Sequence, residues 1–282
     1  MTIGNLPRHT AKPVCGFIGL GSQGAPMARR MIDAGFETLL WARREATLAP
    51  YRDTGARFAA SVEELGGLAD HVGLCVVNDE DVHEMAGRLL PVMRPGAVLA
   101  IHSTVHPDTC RAVAEEAAGR GIDVLDAPVS GGSPAAEAGQ LTVMVGGDAR
   151  VLARSRPVLD TFAGLIVHLG AIGAGQYVKL INNSLFVANL GLADAAMMAG
   201  EALGIDKENL VELLRASSGR SFAFDVRARM ESPAGFRHGG ALLRKDIGLL
   251  SEVLGADHPA ARRLAEAAEG FLVAAAGKAK VP

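Results

Sequence analysis

An apolar run, Val14-Cys15-Gly16-Phe17-Ile18, leads into Gly19-Leu20-Gly21-Ser22-Gln23-Gly24, and Met27-Ala28-Arg29-Arg30-Met31 follows with helical spacing. The order is strand, glycine turn, helix. In that setting Gly19 permits the tight turn, Gly21 lets the backbone approach a pyrophosphate, and Gly24 lets helix and strand pack closely. The helix N-terminus adds free N–H groups for phosphate oxygens. A six-residue glycine pattern is weak evidence in a chain with 34 glycines; the flanking strand and helix make it a dinucleotide-binding signature.

Short apolar runs recur at Val14–Ile18, Thr38–Trp41, Val72–Val77, Ala97–Ile101 and Ile122–Leu125, separated by segments of which several have helical periodicity. Such alternation defines an α/β chain whose strands form a doubly wound, mostly parallel sheet with helices on both faces. The ligand crevice then lies at the carboxyl ends of the strands. Leu141–Val145 and Leu165–Leu169 read as two further strands around a helix beginning near Ala149. Beyond Gly170 period-2 alternation fades and Ala, Leu, Glu and Arg recur near every 3.6 residues, which predicts an all-helical C-terminal domain. Gly173-Ala174-Gly175 is the junction, and a long helix from Gln176 to about Leu203 follows. The domains expected are a tail over residues 1–12, a dinucleotide-binding domain over 13–173 and a helical domain over 174–282.

At 282 residues and 49% hydrophobic content the chain can bury a sizeable core. With 28 Lys+Arg against 31 Asp+Glu, net charge −3, no footprint for nucleic acid or an anionic membrane stands out. Small-molecule chemistry is the default. Cys15, Cys75 and Cys110 are odd in number and lack metal-ligand spacing, so neither a disulfide framework nor a structural metal is expected. The opening residues carry no signal-peptide pattern, and the expected compartment is the reducing cytoplasm. The apolar stretch Leu180–Gly200 is interrupted by Asn182, Asn183, Asn189 and Asp194, and reads as a buried helix rather than a membrane span.

Arg43 and Arg44 follow the second strand, where an NAD site often places an acid for the ribose 2′-hydroxyl; here none occurs until Glu45. A guanidinium there can pair with a 2′-phosphate and stack on adenine, favouring NADP over NAD. Two solvated arginines at a helix start would have the same sequence. Lys179 precedes Asn183 by four residues, so both share one helix face. In a closed, dry cleft such a lysine can exchange a proton near neutrality while Asn183 donates to the same substrate oxygen; spacing alone equally suits a solvated Lys and an Asn bonded to local backbone. Asp126-Ala127-Pro128-Val129-Ser130-Gly131-Gly132 exposes two glycine amides beside a hydroxyl, a cradle for a carboxylate or a plain Ser-Gly-Gly turn. His102, His106, His168 and His238 lack partners at suggestive spacing and read as structural or surface residues. Phe222, Phe224 and Phe236 suit core packing better than a substrate pocket.

Gly19–Gly24, Ser103-Thr104, Asp126–Gly132, Gly173–Gly175 with Lys179 through Asn183, and Lys245-Asp246, taken in order, resemble the β-hydroxyacid dehydrogenases, the group of 3-hydroxyisobutyrate dehydrogenase, tartronate semialdehyde reductase and glyoxylate/succinic semialdehyde reductases. The resemblance spans about residues 14–250. It implies a Rossmann-type domain followed by a helical substrate and dimerisation domain, and an NAD(P)-dependent oxidoreductase acting on a small β-hydroxy acid or its semialdehyde. It further implies Lys179 as general acid/base supported by Asn183, with Ser130, Gly131, Gly132 and Asp246 at the carboxylate substrate. Gly19, Leu20, Gly21, Ser22, Gln23, Gly24, Arg43, Arg44, Val77, Asn78, Thr104 and Lys245 would hold the cofactor, NADP or alternatively NAD. Arg43 resembles the NADP-using members, but the Asn that often precedes it is Ala42 here, which leaves cofactor choice open. The related imine reductases generally lack this lysine, and 6-phosphogluconate dehydrogenases carry a longer helical domain. A homodimer or homotetramer through the helical domain is also implied. The other class of function compatible with the turn is a catalytically silent NADP(H)-binding module.

Overall fold

A computed structural model describes residues 12–277. The chain divides at Gln176/Tyr177 into two compact units. Of the tail expected over residues 1–12, all but Lys12 lies outside the described residues; Lys12 donates from Nζ to the Ala34 carbonyl at 2.6 Å.

The first unit runs β1 (Cys15–Ile18), α1 (Gly24–Asp33), β2 (Thr38–Trp41), a 3-10 segment (Glu45–Tyr51), β3 (Arg57–Phe58), α2 (Val62–Leu68), β4 (His71–Leu74), α3 (Asp79–Leu89), β5 (Val98–Ile101), α4 (Pro107–Ala118), β6 (Asp123–Asp126), β7 (Val129–Ser130), α5 (Gly132–Glu137), β8 (Leu141–Gly146), α6 (Ala149–Leu159) and β9 (Ala163–Gly170). The sheet order is β3-β2-β1-β4-β5-β6-β8-β7, with β9 paired to β8. Pairing is parallel from β3 to β6; β8 then runs antiparallel to β6 and β7, while β9 is parallel to β8.

Strand alternation sorts the apolar side chains onto two faces. Ile18, Leu39, Val72, Leu74, Leu99 and Ile101 face one core, shared with α2, α3 and α4. Cys15, Phe17, Leu40, Val98 and Leu125 face the other, shared with α1 and α6. Parallel strands covered on both sides are near-continuously apolar for this reason. The strand expected over Val72–Val77 ends at Leu74. Past it the Cys75 carbonyl lies against the Gly19 turn, where a Cβ on Gly19 would overlap it. β3 and β7 are additions: each has two residues, too short for a pattern, and Val129–Ser130 is a strand where only a turn was expected. No disulfide joins Cys15, Cys75 or Cys110.

The second unit is helical. The long helix α7 (Ala174–Ala202) begins in the last residues of the first unit and is followed by α8 (Lys207–Ala216), α9 (Phe222–Ala228), a 3-10 turn (Pro233–Phe236), α10 (Arg237–Leu254) and α11 (Pro259–Ala276). Val187 and Leu190 of α7 pack with Ala223, Leu243, Phe271 and Leu272. Gly191 lets α7 and α11 come close, since a Cβ there would overlap the Ala267 carbonyl. A buried ion pair joins α9 to α7, Arg227 Nε to Asp194 Oδ1 at 2.7 Å. The expectation of a buried helix over Leu180–Gly200 holds on one stripe only: Ile181, Leu185, Leu192 and Met198 are exposed. Its apolar residues exceed the width of the face its neighbours cover, and by length and hydropathy alone α7 would pass for a membrane span. Phe224 is buried and Phe236 meets Phe271 in a tilted ring contact at 6.0 Å, whereas Phe222 is exposed and meets Phe186.

Candidate active site

The carboxyl edge of the parallel strands collects the cofactor candidates other than Lys245, which lies on α10. β1 lies between β2 and β4, where strand order reverses, and its glycine turn opens at this switch point. The three glycines answer three separate demands. Gly19 has φ +98° and sits against Cys75; Gly24 has its Cα turned towards the Gly19 carbonyl, which a Cβ would overlap; a Cβ on Gly21 would meet nothing within 4 Å. Open space above Gly21 is the room that a pyrophosphate needs to reach the backbone. The residues present therefore fit a dinucleotide phosphate, with Leu20, Ser22 and Gln23 completing the turn.

The neighbouring strand ends supply the other candidates. Arg43, beyond β2, is exposed and bonds from one nitrogen, Nη2, to Asp81 Oδ1 at 2.7 Å and Glu84 Oε2 at 2.5 Å, both on α3. These two contacts raise the guanidinium pKa. Arg44 is exposed at the start of the 3-10 segment. After β4, Val77 is exposed, while Asn78 caps α3 by accepting the Asp81 N–H at 2.8 Å. After β5, Ser103 Oγ accepts from Val76 N at 2.8 Å. Gln176 donates to the Ser103 carbonyl at 2.8 Å and accepts from Val105 N at 3.2 Å, so a single buried amide brackets Thr104. At the end of β7, Ser130 precedes Gly131 (φ +131°) and Gly132 (φ +71°). A side chain on Gly131 would press on Ala135, so the turn that presents the paired amides requires glycine.

Asp126, at the end of β6, is fully buried, and its carboxylate accepts the Gly173 N–H at 2.7 Å and the Gln176 N–H at 2.9 Å. Burial pushes its pKa up and these backbone donors oppose the rise. It thus caps the start of α7, where Gly173 has no side chain to do so. Gly146 and Gly175 are small because a Cβ on either would press on this carboxylate. Asp126 and Gln176 are the residues that sequence reasoning left without a role. Their partners lie 47 and more residues away, and no local spacing points to them.

In the second unit, Lys179 is buried (6% exposed). Asn183 donates from Nδ2 to Asp246 Oδ2 at 2.6 Å and accepts at Oδ1 from Asn182 at 3.2 Å, which fixes the orientation of its amide. Lys245 Nζ stands 3.3 Å from the other oxygen of Asp246, close enough to pair though not aligned as a hydrogen bond. Of the four histidines singled out from the sequence, His238 is exposed and the other three hold structural positions. His102 is buried between Phe17 and Phe162 and bonds the Ala127 carbonyl at 2.8 Å; His168 bonds the Gly147 carbonyl at 2.8 Å; His106 caps α4.

An open sheet with a glycine turn at its switch point, followed by a helical unit, defines a dinucleotide-binding protein. Two family models match the chain: the NAD-binding domain of 6-phosphogluconate dehydrogenase over residues 14–170, and the NAD-binding region of NADP-dependent 3-hydroxyisobutyrate dehydrogenase over residues 173–280. The NAD-dependent L-serine dehydrogenase of Pseudomonas aeruginosa is 36% identical, with 84% of this chain and 83% of that protein aligned. The 2-(hydroxymethyl)glutarate dehydrogenase of Eubacterium barkeri is 35% identical over 84% of this chain and 81% of its own length. Among solved structures, a 3-hydroxyisobutyrate dehydrogenase of Mycobacterium tuberculosis with L-serine superposes with a TM-score of 0.83 at 30% identity, covering 95% of both chains. The chain belongs to the β-hydroxyacid dehydrogenase family and is an NAD(P)-dependent hydroxyacid dehydrogenase.

Proposed function

We propose that the protein moves hydride between a nicotinamide dinucleotide and a 2-substituted 3-hydroxypropanoate, oxidising its primary alcohol to the semialdehyde or running the reverse. The substrates named for its relatives, L-serine, 3-hydroxyisobutyrate and 2-(hydroxymethyl)glutarate, share this carboxylate and CH2OH and differ only in the substituent. The observation that carries the reading is the buried lysine on α7, one turn from an asparagine whose amide is fixed.

A bound nicotinamide supplies or accepts the hydride. Lys179 handles the proton: neutral, it takes the hydroxyl proton during oxidation; as the ammonium, it returns a proton to the alkoxide oxygen during reduction. Asn183 offers an amide N–H to that oxygen, and Asp246 holds the amide in the donating orientation. Ser130 and the amides of Gly131 and Gly132 bind the substrate carboxylate. Arg43 supports a preference for NADP, as a cation that can meet a 2′-phosphate. Assembly as a homodimer or homotetramer through the helical unit is supported by the exposed apolar residues of α7. The cytoplasm is the proposed compartment.

The test is a panel of 2-substituted 3-hydroxypropanoates, their semialdehydes and cyclic imines, assayed with NADP(H) and NAD(H) by absorbance of the reduced nicotinamide. Turnover of hydroxypropanoates supports the reading. Turnover of imines alone, or tight cofactor binding without turnover of any member, overturns it.

A further inference from the structure

We infer that Asp81 and Glu84 set how strongly the protein discriminates between the two dinucleotides, by restraining Arg43. The inference rests on the proposed contact between Arg43 and a 2′-phosphate, and it concerns two residues of α3 that stand 38 and 41 positions further along the chain.

The argument begins with the shape of the guanidinium. Arginine has five N–H donors, and it grips an oxyanion best with two parallel ones. Both of its two-pronged edges pass through Nη2: one pairs Nη2 with Nε, the other pairs Nη2 with Nη1. In this protein Nη2 is the atom that holds both carboxylates, Asp81 at 2.7 Å and Glu84 at 2.5 Å. While both contacts stand, neither edge is free for a two-pronged grip, and a phosphate is left with single donors.

Charge acts in the same direction. One guanidinium with two carboxylates carries a net charge of −1, and a phosphate monoester near neutrality carries about −1.5 to −2. A 2′-phosphate arriving at Arg43 therefore meets a group of its own sign, whereas a 2′-hydroxyl does not. Asp81 is well placed to keep its hold. It is only 17% exposed at its side chain, sits in the first turn of α3 where the helix N-terminus favours a negative charge, and its backbone N–H is capped by Asn78. Glu84 is half exposed and lies one turn on, on the same face. The next cation along α3, Arg88, has both of its contacting nitrogens on Glu63, so Arg43 is the cation that the two acids hold. Trp41, the chain's one tryptophan, ends β2 two residues before Arg43 and reports on this part of the site.

Dissociation constants for NADPH and NADH, read by quenching of Trp41 fluorescence in the wild type, Asp81→Asn/Glu84→Gln, each single variant and Arg43→Ala, test the inference. The double variant is expected to tighten NADPH about tenfold relative to NADH, with a smaller gain at high salt, as for a screened, exposed charge effect. The single variants should each give part of it. An unchanged ratio in the double variant, or a shift towards NADH, overturns the inference; the shift would mean that the acids present Arg43 to the phosphate. Arg43→Ala reports separately on the underlying reading, which fails if NADPH affinity does not drop relative to NADH. Far-ultraviolet circular dichroism and urea unfolding check that every variant keeps the wild-type fold.

Discussion

Asp126→Asn is the sharpest probe of how the start of α7 is held. The native carboxylate faces backbone donors on both sides, Gly173 N–H at Oδ1 and Gln176 N–H at Oδ2. An amide keeps the shape but has one oxygen. Whichever way it turns, its NH2 faces a buried N–H, so one donor loses its acceptor, at a cost of about 1–3 kcal/mol. Losing the negative charge at a helix N-terminus removes about 0.3–1 kcal/mol more. Relief of burying that charge, the effect that pushes the Asp126 pKa up, offsets part of this. The net expectation is about 2 kcal/mol of local stability. Native-state hydrogen exchange at the amides of residues 173–176 reads it directly, as a loss of protection of about thirtyfold. Protection unchanged within a factor of about two would refute the assignment of Asp126 as the cap.

Two further outcomes concern the sheet. Burial depresses His71 to about 3 and His102 to about 4, and neither ring nitrogen of His71 has a hydrogen-bond partner among the described residues. Unfolded, each binds its proton near pH 6.5, so between that value and the folded ones the unfolded state holds more protons and stability falls with falling pH. His71→Leu should remove about half of this slope: from urea unfolding, wild-type stability should fall relative to that of the variant by about 1.5 kcal/mol between pH 6.5 and 5. Parallel curves would sink the idea. Gly24→Ala should weaken both dinucleotides equally, by about tenfold or more, because its Cβ would overlap the Gly19 carbonyl and distort the turn; an effect on NADPH alone would contradict it.

The parts of this molecule legible in its sequence are those with local physical signatures. Thr38–Trp41 is a strand with the expected bounds because four apolar or β-branched residues stand between the charged Glu37 and Ala42-Arg43-Arg44, and α7 departs by two residues at its start. The positive φ of Gly19 and the close approach of Gly24 to its carbonyl are readable because both follow from backbone geometry within six residues. What sequence could not supply was partnership over distance. The cap on α7 comes from Asp126, the bracket on Thr104 from Gln176, and the restraint on Arg43 from Asp81 and Glu84, and each joins segments whose spacing carries no periodic signal. The exposed apolar residues of α7 are equally hidden, since apolar composition does not say how many neighbours a helix will have.

The proposed proton role of Lys179 is central, and Lys179→Arg tests it most directly when paired with Lys179→Ala. Arginine keeps the positive charge but cannot release a proton near neutrality. Both variants should lose turnover by about 10²–10⁴-fold, the usual contribution of a general acid/base, while the dissociation constant for NADPH stays within about threefold of wild type. Turnover by Lys179→Arg within about tenfold of wild type would contradict the assignment, because charge alone would then account for the activity.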